Sequence, residues 1–454
     1  MGFILLGLFA VAEVALLFVT FTKQKEKMQW LRNRVIVRAA EMLLFLLTLL
    51  LPWAAWDFRF KMCFVVLLIR IVAAVVSYVC KKQKATGNQS KAGVAVSIIG
   101  SILILALSLV PAFLFTGYAG LETTGEYEVK QASAIFVDES RTETFETDGS
   151  KREVPVYIYY PDVENAGESS FPLVIFSHGA FGYYQSNSST YMELASNGYV
   201  VISLDHPYHS FFTKDTEGEL ITVNPEFLLE VMLVNEEDGL LEEEALELAH
   251  KWLEIRTSDM NFVLDSMEAA KAAGSCADTW FIQSEEMEAE IIQVLSMTDV
   301  DTVGLMGHSL GGASSVSLGR TREGIDAVID LDGTMLGEYV SCKDGEYQFI
   351  DEVYPVPLLA IDNEEHYMQG SNENLLYVNT AVLQNAVDSK HTYFVGSAHM
   401  NFTDLPLFSP TLSSLLGTGE VDAKECIETM NEIVLNYFNY YLKGEGELII
   451  NESY

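Results

Sequence analysis

Basic residues are scarce in this chain, cysteines are scarcer, and no C-x-x-C pair occurs. Lys and Arg number 27 against 64 Asp and Glu, a formal net charge of −37. So acidic a chain repels nucleic acid and anionic lipid surfaces, which leaves neutral or zwitterionic partners. The five cysteines are Cys63, Cys80, Cys276, Cys342 and Cys426. Their spacing offers no zinc-ligand set, and the last three allow at most one disulfide. The sequence therefore implies no metal and no cofactor. No internal repeat is visible. No basic residue precedes the first apolar run, which with three further runs behind it argues against a cleaved leader.

Apolar residues are abundant at 49%, and the excess lies at the front. Residues 2–21, 40–56, 62–79 and 92–115 are four runs of membrane-spanning length or close to it. The second and third are short and the third carries Arg70, so a hairpin dipping into the bilayer is the alternative for that pair. Lys23, Lys25, Lys27, Arg32, Arg34 and Arg38 separate runs one and two, and Lys81, Lys82, Lys84 and Lys91 separate runs three and four. Both basic stretches belong on the cytoplasmic side by the positive-inside rule. Four crossings then place everything after residue 118 outside the cytoplasm. Residues 1–118 hold 13 Lys+Arg and 4 Asp+Glu, which leaves 14 against 60 for the remainder. The expected organisation is a multi-pass anchor of about four helices over 1–118 and an exported domain over 119–454.

The exported part begins with a polar link, 120–130, and two strands, 132–138 and 153–160, joined through Thr147-Asp-Gly-Ser150. Short apolar strands then alternate with helical segments: 172–176, 199–204, 302–306, 327–331, 357–361 and 393–395. That alternation predicts an α/β fold, a mainly parallel sheet with helices on both faces. A long insertion, about 211–298, interrupts it. Its second half, 241–267, has helical spacing of apolar residues and is expected to pack on the sheet. The apolar stretch around Phe227 reads either as part of a lid or as an ordinary surface loop, and 235–244 as a solvated acidic face.

Gly307-His308-Ser309-Leu310-Gly311 has the G-x-S-x-G form of a nucleophile elbow. The motif alone is weak, but an apolar strand precedes it and a helix of small residues, LGGASSVSLGR, follows. A serine nucleophile needs a base, an acid to orient that base, and donors for the oxyanion. The chain order for this fold is Ser, then acid, then His. Three histidines follow Ser309. His366 falls in a charged loop and His391 begins a strand, whereas His399 follows a strand through Gly396-Ser-Ala398, at the edge where function collects in open parallel sheets. His399 is therefore the candidate base. Asp332 and Asp362 both end strands, and spacing leaves the acid open between them; Asp330 lies inside its strand. The N–H of Leu310, at a helix N-terminus, is one oxyanion donor. The N–H of Ala180, in Phe176-Ser-His-Gly-Ala-Phe-Gly182, is the other. His178 precedes the nucleophile and reads as loop support. His206 and His209 lack the further ligands that a metal site requires.

FSHGAFGYYQS (176–186), GYVVISLDHP (198–207), GHSLGGAS (307–314), IDLDG (329–333) and GSAHMNFTD (396–404) run in one order over roughly residues 150–440. In this the chain resembles the plasma-type platelet-activating-factor acetylhydrolases of the α/β-hydrolase superfamily. The resemblance implies an α/β-hydrolase fold, the acid at Asp332, Ser309 and His399 as its partners, and Ala180 and Leu310 as oxyanion donors. It also implies hydrolysis of short or oxidised acyl esters of phospholipids through an acyl-enzyme. The four-span anchor and the acidic insertion depart from the family pattern, and they put the substrate in question. Other acyl chemistry on the same triad (a peptidase, thioesterase, transacylase or small-ester esterase) and a non-catalytic exported binding module are the alternatives.

Overall fold

The computed structural model describes every residue except 23–25, 52–55, 164–169, 237–239, 241, 344–345 and 372–376. The chain divides into two units, Met1–Ala119 with Leu407–Leu412, and Gly120–Pro406 with Ser413–Tyr454.

The first unit is helical: α1 (Gly2–Thr22), α2 (Lys27–Thr48), α3 (Phe58–Lys81), α4 (Lys91–Ser108) and a short α5 (Val110–Leu114). Among the described residues three of these, α1, α3 and α4, are long and apolar enough to cross a membrane. The second helix begins well before the apolar run expected there, and it takes in Lys27, Arg32, Arg34 and Arg38, which had read as a connecting stretch. Two of its charges turn inward. Arg38 meets Glu13 of α1, Glu41 at 3.0 Å and Ser101 of α4 at 2.9 Å. Arg70 of α3 reaches the same Glu13 and, at 3.3 Å, Glu41. Two positive and two negative side chains from three helices thus close on one another, with a hydroxyl from the fourth. Pairing of this kind is what makes buried charge tolerable.

In the second unit the strands are β1 (Val129–Thr142), β2 (Lys151–Pro161), β3 (Phe171–Ser177), β4 (Val200–Leu204), β5 (Phe212–Lys214), β6 (Leu220–Thr222), β7 (Trp280–Phe281), β8 (Thr298–His308), β9 (Ala327–Leu331), β10 (Tyr339–Lys343), β11 (Glu346–Phe349), β12 (Leu358–Asn363) and β13 (Ser389–Phe394). Among the described residues nine form one sheet in the order β13-β12-β9-β8-β3-β4-β2-β1-β7. The run from β13 to β4 is parallel, and β2, β1 and β7 continue it antiparallel. Strands β3, β4, β9 and β12 are buried along their whole length, as their unbroken apolar character requires of central parallel strands.

The helices are α6 (Ser188–Ser196), α7 (Pro225–Val234), α8 (Glu242–Ala273), α9 (Glu285–Met297), α10 (Leu310–Thr321), α11 (Glu364–Gly370) and α12 (Val378–Gln384), followed by shorter pieces and a long helix, Ala423–Phe438. Met260, Val263, Leu264 and Met267 of α8, with Ile291, Val294 and Leu295 of α9, bury one apolar stripe in the main core. The C-terminal end of the helix Ala423–Phe438 packs against β8: a Cβ at Gly304 would stand 2.7 Å from the Phe438 ring. A parallel sheet so covered, with an antiparallel leading edge, is an α/β-hydrolase fold. The carboxyl ends of β3, β8, β9, β12 and β13 share one edge of the sheet.

Candidate active site

Strand β8 runs straight into Ser309, which takes φ 56° and ψ −126° at the N-cap of α10. An L-residue held at positive φ costs on the order of 1–3 kcal/mol, so the surrounding contacts must enforce it. They do: the Ser309 N–H donates to Leu331 O at 2.9 Å, and Ser309 O accepts the first helical bond, from Ala313, at 3.0 Å. The glycines follow from steric need. A Cβ at Gly307 would lie 2.2 Å from the Gly311 carbonyl carbon, and one at Gly311 would lie 2.0 Å from Ser177 O. The amides of Leu310, Gly311 and Gly312 precede the first intrahelical donor, Ala313 N–H, so they are left without helical acceptors at the positive end of α10.

The loop after β3 closes on this turn. A Cβ at Gly179 would stand 3.2 Å from Ser309 Cβ. That close approach brings Ala180 beside the elbow. The loop is pinned by Gly182 N–H to Gly179 O at 3.0 Å and by Phe181 N–H to His209 O at 3.2 Å. Phe181 itself sits at φ 61°.

Asp332 follows β9 at φ 54°, its carboxylate almost wholly buried. Four donors meet it. Asn363 gives its backbone N–H to Oδ1 at 2.7 Å and its side-chain amide to Oδ2 at 2.8 Å. His366 Nδ1 donates to Oδ1 at 2.9 Å and His399 Nδ1 to Oδ2 at 2.6 Å. Burial works against the charge on Asp332, but the bonds from His366 and His399 outweigh it and hold the carboxyl well below the usual range. The two carboxylates that spacing left open meet different histidines. Asp332 pairs with His399, whereas Asp362 pairs with His391 Nε2 at 2.7 Å. Asp330 accepts from Gly333 N–H at 3.1 Å; burial and the nearby Asp362 and Asp332 push its carboxyl well above the usual range.

His399 is also tied to the elbow. His308 Nε2 lies 3.1 Å from His399 O, and the two rings are 4.6 Å apart. Burial, aided by His399, lowers His308 to about 3, so it is a neutral ring that donates through Nε2. His366 does not lie in a charged loop as its neighbours suggested. It occupies the first turn of α11, beneath the N-cap Asn363.

A buried polar web stands behind the Ala180 loop. Arg256 of α8 is fully buried and donates to His178 O and, at 3.3 Å, to Gly179 O. Asp259, one turn on, accepts two bonds from Arg152 at 3.1 and 2.7 Å and one from His206 Nδ1 at 2.9 Å. His206 Nε2 meets Ser177 Oγ at 2.9 Å, and His178 bridges Gly179 O and Ser210. Burial first, and Arg256 next, lower His206 to about 4 and His178 and His209 well below the ordinary value. All three are neutral braces, and His178 supports the loop as expected. Arg256 and Asp259 escaped the sequence reading. The signal was present: they fall on the same stripe as Leu253, Met260 and Val263. In the first half of the insertion, the Phe227 stretch is helix α7, not a loop. Phe227 is buried, stacks on His209 at 3.8 Å, and joins the apolar cluster that holds Leu310 and Ala313. The acidic face at 235–244 lies partly outside the described residues.

Residues 149–448 match the family described as platelet-activating factor acetylhydrolase, isoform II. Among curated proteins, the platelet-activating factor acetylhydrolase of Bos taurus is 25% identical over 281 residues, covering 60% of this chain and 57% of that one. The probable 1-alkyl-2-acetylglycerophosphocholine esterase of Arthroderma benhamiae is 22% identical over 299 residues, covering 63% and 65%. The chain thus spans under two thirds of the length of these relatives. Among solved structures, a ferulic acid esterase from Streptomyces cinnamoneus superposes with a TM-score of 0.52 at 19% identity, covering 72% of this chain and 93% of that one. The fold is shared with that esterase, and the chain belongs to the platelet-activating factor acetylhydrolase, isoform II, family.

Proposed function

We propose that this chain is a membrane-anchored serine ester hydrolase. In this reading Ser309 is the nucleophile, His399 the general base, Asp332 the residue that orients it, and the N–H groups of Leu310 and Ala180 the oxyanion donors. One observation carries the proposal: an Asp332–His399 pair is tied through His308 to a serine held at positive φ. Asp332 fixes the proton on His399 Nδ1, which leaves Nε2 free to take the Ser309 proton. The alkoxide attacks an ester carbonyl, and the developing oxyanion meets amides that no helical acceptor occupies. His399 then returns the proton to the leaving alcohol, and water cleaves the acyl-enzyme by the same route.

The proposed substrates are short or oxidised acyl esters of phospholipids. The names of the relatives point to 2-acetyl glycerophosphocholines, and an acidic unit favours a zwitterionic headgroup over an anionic one. Two measurements test this. A fluorophosphonate probe should label the parent and not Ser309→Ala; a folded parent that resists labelling points instead to a binding module. Short-chain phosphatidylcholine should be preferred over soluble acetyl esters, and equal preference removes the lipid claim.

Orientation belongs to the same proposal. The second helix is too charged to count as a span by composition, and a three-span anchor would put the hydrolase on the opposite side. Its inward charges, Arg38 and Glu41, are neutralised by Glu13 and Arg70. That supports four crossings and an extracytoplasmic hydrolase unit. Protease shaving of intact cells should remove the unit; protection until the cells are opened would reverse the orientation.

A further inference from the structure

The sheet order fixes on which side of Ser309 each part of an ester must lie. Ser309 follows β8, which has β9, β12 and β13 on one side and β3 and β4 on the other. Asp332 follows β9 and His399 follows β13, so the base stands on the first side. The Ala180 loop follows β3, and α7 is reached from β4 through the β5–β6 hairpin, so both stand on the second. The carbonyl carbon attacked by Ser309 carries an oxygen, a leaving oxygen and an acyl chain. The first turns to the amides of Leu310 and Ala180, and the second must face His399 to collect its proton. The acyl chain takes the direction that is left, away from His399 and toward the Ala180 loop and α7.

What stands there is a packed apolar wall. Leu310 joins Ala313 of the same helix, Phe227 of α7, and Trp252 and Leu253 of α8 in one buried cluster, and Ala180 and Phe181 pack half-buried against it. The side chains of both oxyanion residues thus abut the same wall. Phe227 is its centre: its ring meets Phe181 at 5.4 Å, Trp252 edge-on at 5.5 Å and His209 face to face at 3.8 Å. Phe227 is 1% exposed, so no solvent-wide channel reaches its ring. The helix that carries it is fixed at both ends. Asn224, its N-cap, accepts from the N–H groups of Glu226 and Phe227 at 2.8 and 3.1 Å and donates its own N–H to Tyr208 O at 2.8 Å. Farther along, Glu230 accepts from Trp252 Nε1 at 2.9 Å.

We propose that Phe227, with Phe181 packed against it, is the specificity-determining stop of the acyl site. The wall accepts acetyl and similarly short acyl groups and turns away longer unbranched chains, which would have to displace a ring held by three aromatic neighbours. This inference rests on the Ser309–His399–Asp332 reading and adds to it the residues that choose among acyl groups.

The test is kcat/KM of the full chain in detergent on p-nitrophenyl acetate, butanoate, hexanoate and octanoate, for the parent, Phe227→Ala, Phe227→Leu and Phe181→Ala. The readout is the octanoate-to-acetate ratio, which a change in the folded fraction leaves untouched. In the parent that ratio should lie well below unity. Burial of one methylene is worth about fourfold. Phe227→Ala opens room for two methylenes or more, so its ratio should rise at least about tenfold, and Phe227→Leu and Phe181→Ala should each raise it about threefold to fourfold. If Phe227→Ala does not fold, Phe227→Leu and Phe181→Ala decide. A parent that favours octanoate, or Phe227 variants whose ratio stays at the parental value, overturns the proposal. Ser309→Ala separates the two readings. If it keeps turnover, the triad reading fails; if it is inactive while the ratios stay parental, only the role of the wall fails.

Discussion

Replacing Arg256 by methionine should silence the enzyme while leaving it folded, and the reason lies in two opposed energies. The guanidinium is fully buried, and burial, with Arg152 adding to it against the pull of Asp259, lowers its pKa from 12.5 to about 9. That displacement corresponds to roughly 5 kcal/mol of unfavourable surroundings, which the substitution relieves. Against this, the His178 carbonyl loses its donor and the Gly179 carbonyl loses one of its three. Hydrogen bonds from a charged group contribute roughly 1.5–3 kcal/mol each, so the loss is about 3–6 kcal/mol. Methionine fills most of the vacated volume with an adaptable chain. The two energies cancel to within about 2 kcal/mol, and the Tm of the hydrolase unit should move by no more than about 4–8 °C. Activity has no such cancellation. The released carbonyls belong to the loop that presents Ala180, the proposed oxyanion donor, and misplacing one such donor costs about 10²–10³ in kcat. Thermal unfolding by circular dichroism and steady-state kinetics on a soluble ester measure both quantities on one preparation. A folded Arg256→Met enzyme with parental kcat, or one that loses activity only in proportion to folded protein, would refute the argument.

Two further outcomes follow from the carboxylates. Asp332→Asn should lower kcat by about 10³–10⁴ because the amide cannot hold His399 in the required tautomer, while Asp362→Asn should stay within about tenfold; the reverse ranking would assign the acid to Asp362. Asp205 is fully buried, and burial raises its carboxyl to about 7 despite bonds from Thr213 and the Tyr184 N–H. The folded state therefore binds a proton that the unfolded chain releases near pH 4, so the contribution is whole below that pH and is lost as pH rises toward about 7. The parent should lose more Tm than Asp205→Asn between about pH 5 and 8, and parallel curves would contradict the assignment.

Much of the sheet was legible because central parallel strands are buried on both faces and must be continuously apolar. The edge strand β13 was read late because it begins Ser389-Lys-His391, residues that an edge tolerates and a core strand does not. The acid was undecidable by spacing because Asp332 and Asp362 stand at the ends of adjacent strands. Conformation separates them. Asp332 has left β9 and turned at φ 54°, which aims its carboxylate at His399. Asp362 is still inside β12, paired across from Tyr393, and its side chain meets His391. The role of α11 was hidden for a related reason: Asn363 and His366 act on Asp332 through the end of a neighbouring strand, a contact that chain spacing does not encode.

The insertion between β4 and β8 read from composition as material added to a finished fold, yet the web around Arg256 makes it a working part. An inserted helix that merely covered the sheet would present apolar residues alone to the core. Helix α8 instead carries a cation and an anion one turn apart, Arg256 and Asp259, on its buried face. Neither is stable there without partners, and those partners lie on the structure that forms the site: the carbonyls of the Ala180 loop for Arg256, and Arg152 of β2 with His206 after β4 for Asp259. The dependence runs both ways, since the loop carbonyls need donors and the helix charges need counterparts. Excising residues 211–298 should therefore not yield a smaller esterase. It should leave the His178 carbonyl buried without its donor and strip Arg152 of Asp259, with only Glu143 and the Pro207 carbonyl remaining to it, and losses of a few kcal/mol each are large against the stability of a fold of this size.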